Sequence, residues 1–85
     1  MAQISHADIV PRLKRAEGHL RSVIAMVEAG KPCLDVAQQL HAVEAAVANA
    51  KKMLIHDHIE HCLQDGRGPD VKAVLGEIKQ LTKYL

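Results

Sequence analysis

Between Pro32 and Gln64 no glycine or proline interrupts the chain. Within that run Ala37, Leu40, Val43, Val47 and Leu54 recur at helical spacing. The run predicts one helix over about 32–64, with Pro32 in the first turn, where its missing amide costs nothing. Such a helix would span on the order of 45–50 Å at about 1.5 Å per residue. This is long for a chain of 85 residues, and what flanks it is too short to cover it. A partner chain is therefore expected, the more so because small domains bury little of their own surface.

Breakers cluster in two places, "AGKPC" at 29–33 and "DGRGPD" at 65–70. They divide the chain into segments of about 6–29, 32–64 and 70–84. Ile9, Leu13, Ala16, Leu20, Ile24 and Val27 form an apolar helical stripe in the first segment. Val71, Val74, Leu75, Ile78, Leu81 and Leu85 do so in the third. No strand alternation, internal repeat or low-complexity tract occurs. The expectation is an all-α single domain over 1–85. The chain has no Phe, no Trp and one Tyr, so its core must be aliphatic.

The formal charge is +1, which by itself points to no acidic partner. Arg12, Lys14, Arg15 and Arg21 nevertheless cluster in the first helix, and Lys51 and Lys52 adjoin in the second. No stretch is apolar enough to cross a membrane and no signal-peptide pattern is present, so a cytoplasmic protein without a membrane partner is expected. Two cysteines in that compartment suggest ligands, redox chemistry or packing, and not a staple.

The densest chemistry lies in "HDHIEHC", 56–62. His58 and Cys62 are four apart and share a helix face. Imidazole and thiolate are the usual ligands for zinc and copper. His56 and His61 rotate away by about 100° per residue and read as a solvated face, as do His19 and His41. Two ligands do not close a site. Cys33 is the only other thiol, and a continuous helix holds it on the order of 40 Å away. Two copies of the helix, antiparallel about a two-fold axis, would bring Cys33 of one chain to the 58/62 end of the other and create two identical sites. The axis would cross near 46–47. There "AVEAAVANA", 42–50, supplies the small residues a close crossing needs, although alanine is also simply the best helix former. At a helix N-terminus Cys33 also gains from a dipole that favours thiolate.

"RLKRAEGHL" (12–20), "CLDVAQQLHAVEAA" (33–46) and "LIHDHIEHCL" (54–63) resemble the blocks of the copper-sensitive operon repressor family. The spacing of Cys33, 24 residues, His58, three residues, Cys62 is similar to that of its copper-sensing branch. The resemblance covers nearly the whole chain. It implies a three-helix protomer with a long central helix, an antiparallel dimer and a dimer-of-dimers tetramer. It also implies a repressor that binds operator DNA in the apo form and releases it when Cu(I) joins Cys33 of one protomer to His58 and Cys62 of the other. Glu77 corresponds to a glutamate that supports the metal-binding histidine. Pro32 replaces a tyrosine that family copper sensors carry before the first cysteine.

For DNA contact, Arg12, Lys14 and Lys52 match basic positions of the family. Glu17 and Asn49 stand where copper-sensing members often carry arginine, which brings in Arg15 and Lys51 as further candidates. Other inducers stay open. A Ni(II) or Co(II) sensor of this family would draw extra nitrogen and oxygen ligands, for which His6 and His61 are the candidates. Zn(II) suits the same donors. Persulfide and formaldehyde sensors also belong to the family, but His58 and the Ala at position 2 argue against them. From another class, a metal-binding helical oligomer that does not touch DNA fits the near-neutral charge. No nucleophile–base pair, phosphate loop or carboxylate dyad suggests an enzyme.

Overall fold

A computed structural model describes residues 7–65 and 71–85; the side chains of 62–65 and of 71 lie outside that description. Three helices follow one another: α1 (Ile9–Glu28), α2 (Cys33–Asp65) and α3 (Val71–Thr82). This is the all-helical, long-central-helix protomer that the breaker pattern predicts. His6 and the predicted break at Gly66, Gly68 and Pro69 fall outside the described residues.

The boundaries differ from the sequence expectation by a few positions. Ala7 and Asp8 form a turn, so α1 starts at Ile9. Pro32 is not the first helical residue. It caps α2 from outside, its carbonyl accepting the amide of Val36 at 3.1 Å, so Cys33 becomes the first residue of the helix. Proline suits that edge, because it surrenders no hydrogen bond there.

The turn between α1 and α2 is set by Gly30. Its φ of 71° is the left-handed value that glycine adopts without steric cost. The amide of Lys31 bonds to the carbonyl of Met26 at 3.0 Å, and that of Gly30 to Val27 at 3.1 Å. This paired closure satisfies helix carbonyls that would otherwise be orphaned. The chain then reverses, and α1 runs back along α2. Helix α3 rests more lightly against α2.

The molecule is a rod of 56 × 23 × 14 Å with a radius of gyration of 17.6 Å. A compact domain of this length would have a radius near 12 Å. Among the described residues the buried apolar ones are Ile9, Ala16, Val23, Val43, Ala50 and Ile55. Leu13, Leu20, Ile24, Val27, Leu40, Val47 and Leu54 stay exposed. Most of the stripe read from the sequence as core thus faces away from the protomer's own interior. Each fully buried side chain of this kind is worth about 1.5–3 kcal/mol, so leaving seven of them wet is a large deficit for a single chain.

Candidate metal centre and nucleic-acid face

Cys33 is an exposed free thiol at the first turn of α2. Its surroundings are a shallow cleft of about 340 Å³ lined by Val27, Lys31, Val36, Ala37 and Leu40. Apart from the Lys31 ammonium, the walls are aliphatic. Asp35 occupies the same first turn, where a carboxylate complements the helix dipole.

At the far end of α2, His58 is half-buried, with 28% of its side chain exposed. Its Nε2–H donates to Oε1 of Glu77 on α3. That contact fixes the ring's tautomer and leaves Nδ1 as its lone-pair nitrogen. Cys62 follows one turn later in the same helix; its side chain lies outside the described residues. His61 is half-buried. Cys33 and His58 therefore sit near opposite ends of one uninterrupted helix, and nothing within a protomer brings them together.

The structure also joins His56, which the sequence reading left on a solvated face, to two acids of the same stretch. Donor atoms of His56, Asp57 and Glu60 all lie within 4.8 Å of one another. His56 Nδ1 is 3.8 Å from Glu60 Oε2, an i,i+4 pair whose side chains are 75% and 56% exposed. Nitrogen and carboxylate oxygen suit borderline divalent ions. The spacing that could have revealed this trio was present in "HDHIE".

The basic residues do not share one cleft. Arg12 and Arg15 line a cleft of about 240 Å³ between α1 and α2, together with Ala16, His19, Ala46 and Asn49. Lys52 borders a different cleft, with Met53, Ile55, His56 and Leu85 among its walls. Lys14 and Lys51 are exposed. Among the described residues none of Arg12, Lys14, Arg15, Lys51 and Lys52 takes part in an ion pair, whereas Arg21 is 3.9 Å from Glu17. His19, expected on a solvated face, is instead half-buried, and its Nε2–H donates to Gln39 Oε1 at 2.7 Å.

Residues 5–85 match the family model described as metal-sensitive transcriptional repressor. The chain belongs to that family. The resemblance read from the three sequence blocks is thereby borne out. Among family relatives, a copper-sensing transcriptional repressor CsoR of Mycobacterium ulcerans is 38% identical over 77 residues, which cover 86% of this chain and 63% of the relative. The CsoR of Bacillus subtilis is 37% identical over 76 residues, 88% of this chain and 75% of the relative. The chain thus spans under two thirds of the mycobacterial relative's length. Among solved structures, the nickel-responsive transcriptional regulator InrS superposes with a TM-score of 0.82 at 31% identity, covering 100% of this chain and 98% of that one. Two of these relatives are named as copper-sensing transcriptional repressors and the third as a nickel-responsive transcriptional regulator. No described helix is long and apolar enough to cross a membrane.

Proposed function

We propose that this chain is a cytoplasmic, Cu(I)-responsive repressor that holds operator DNA in the apo form. In this reading each metal site is shared between two protomers: Cys33 comes from one chain, His58 and Cys62 from its partner. The observation that carries it is the hydrogen bond from His58 Nε2 to Glu77. Histidines that bind metals characteristically donate their other ring N–H to a carboxylate, which orients the ring and raises its basicity. His58 is held in that manner, with Nδ1 left to coordinate. Two thiolates and one imidazole are a soft donor set that suits Cu(I), and bound Cu(I) supplies a tether between them. The donors fit the ion when a second chain is present. The exposed stripe of Leu13, Leu20, Ile24, Leu40, Val47 and Leu54 is the apolar surface such a second chain would cover, and tetramer formation would cover more.

The basic residues Arg12, Lys14, Arg15, Lys51 and Lys52 contact phosphate in this reading. They supply most of the affinity and make it salt-dependent. The experiment is fluorescence anisotropy of a duplex from upstream of the chain's own gene, with and without one Cu(I) per protomer. Tight binding by apo protein and release by Cu(I) supports the proposal. Binding unaffected by Cu(I) removes copper as inducer.

A second reading is favoured by two observations: the nickel-responsive structural relative and the nitrogen–oxygen trio of His56, Asp57 and Glu60. In it Ni(II) or Co(II) is the inducer, with His6 or His61 as extra ligands. The same titration repeated with Ni(II) distinguishes the two.

A further inference from the structure

His56, Asp57 and Glu60 follow one another at i, i+1 and i+4 of α2. His56 Nδ1 faces Glu60 Oε2 at 3.8 Å, and a carboxylate oxygen of Asp57 lies within 4.8 Å of the donor atoms of both. Among the described residues neither carboxylate forms an ion pair with a lysine or arginine. Lys52 borders the same neighbouring cleft as His56 and Asp57 and is paired with neither. His41 and Glu44 form a comparable exposed pair, 3.8 Å apart at i,i+3, but among the described residues no third donor joins them. A helix turns by about 100° per residue, so His58 and Cys62 stand roughly 200° and 240° around α2 from His56. Nε2 of His58 is moreover taken by Glu77. The trio therefore does not extend the face that carries His58 and Cys62.

From this we infer that His56, Asp57 and Glu60 form a second metal site, complete within one chain, for a borderline divalent ion such as Ni(II), Co(II) or Zn(II). The site needs no partner protomer and does not rest on the copper reading. Two carboxylates bring two negative charges, which a divalent ion cancels. Imidazole and carboxylate suit such ions, whereas Cu(I) prefers thiolate, so the two sites sort metals by softness. Bonds of about 2.0–2.2 Å to nitrogen and oxygen put neighbouring ligand atoms roughly 3–3.4 Å apart. The trio must close by only about an ångström to reach that spacing, and the exposed side chains of His56 and Glu60 are free to turn. Three protein donors leave the remaining positions to water. The bound ion links successive turns of α2 across the stretch that contains His58. A nickel response of this chain then has a source that leaves Cys33 and Cys62 untouched.

The test uses the full chain with Cys33→Ala and Cys62→Ala, so that no thiolate competes, and helicity is checked by circular dichroism. Ni(II) is titrated by calorimetry, and its paramagnetic broadening of side-chain NMR signals is mapped. One Ni(II) per protomer should bind, with broadening centred on His56, Asp57 and Glu60. In the same background His56→Ala, Asp57→Asn and Glu60→Gln should each weaken binding by at least about tenfold, the scale on which even residues that merely support metal ligands act. His41→Ala should change nothing.

Absence of Ni(II) binding by a helical chain would overturn the second site. So would equal affinity in the parent, His56→Ala and Glu60→Gln chains. Binding that is lost on His58→Ala or His61→Ala and kept in His56→Ala would place the nickel ligands elsewhere and equally dispose of it. None of these results bears on the copper reading, which stands or falls on Cu(I) binding and duplex release by the wild-type chain.

Discussion

Glu77 accepts a hydrogen bond from His58 across nineteen positions of sequence and from one helix to another. It is the described side-chain link between α2 and α3, and it ends on the histidine proposed to bind metal. Removing the carboxylate leaves the ligand atom in place but frees the ring and the third helix. Glu77→Ala should therefore keep Cu(I) binding largely intact while uncoupling it from DNA release. Couplings of this kind are about 1–3 kcal/mol, or roughly 5- to 150-fold in affinity. Operator anisotropy with and without Cu(I), in both proteins, reads the difference. Equal release in wild type and mutant would take Glu77 out of the mechanism.

Shared ligands predict complementation. Cys33→Ala and Cys62→Ala should each abolish tight Cu(I) binding without loss of helicity, and His58→Ala should weaken it. Mixing the two cysteine variants and allowing subunits to exchange should recover some sites, because one interface then holds both wild-type halves. A competition titration with a Cu(I) chelator measures this. No recovery would show that the ligands do not come from two chains. His56→Ala should leave Cu(I) affinity nearly unchanged.

A rod with its large aliphatic side chains in water should not persist alone. Sedimentation at micromolar concentration should give a tetramer, or at least a dimer. A folded monomer under those conditions would contradict both the shared site and the account of the exposed stripe. Leu20→Glu or Ile24→Glu should shift assembly toward smaller species, since each puts a charge where an apolar contact is expected.

Salt dependence tests the nucleic-acid face. Charge reversal at Arg12, Lys14, Arg15 or Lys52 should weaken binding to all duplexes alike, since phosphate contacts carry no sequence information. Each lost contact should flatten the slope of log affinity against log salt by about 1. Unchanged slopes after several reversals would favour a metal-binding oligomer with no DNA role.

Gly30→Ala should destabilise the protomer. The glycine sits at φ 71°, and no heavy atom crowds the place of a new Cβ, so the penalty is conformational, about 1–2 kcal/mol. Chemical denaturation at fixed protein concentration measures it. A value near zero would mean that the turn readjusts.

Much of the protomer was legible because helices leave marks along the chain. The two Gly/Pro clusters separate three segments, and an apolar period near 3.6 identifies each as a helix. What periodicity does not reveal is which neighbour covers a face. Leu13, Leu20 and Ile24 share one stripe with Ile9 and Ala16, yet of that stripe Ile9 and Ala16 are buried, together with Val23 from outside it, since the register of α1 on α2 depends on contacts distant in sequence. The His19–Gln39 bond was hidden for the same reason, being twenty positions apart. The His56–Glu60 pair stands at a spacing helices favour, although His56 by itself reads as a solvated face. Glu77 entered through family resemblance. Nothing in the local pattern of α3 sets it apart from an ordinary exposed acid.

The unbroken α2 places an unusual demand on insertions. On the proposed two-chain arrangement the ends of this helix must present Cys33 and His58 to complementary faces of the dimer. One extra residue in its middle would turn one end by about 100° against the other and misalign both sites at once. Seven extra residues would restore the face to within about 20°. An antiparallel pair would lengthen at both ends together, so the two sites could still meet. The helix therefore acts as a phase reference more than as a measured length, and natural or engineered variants of α2 should tolerate gains and losses by the heptad and reject them singly.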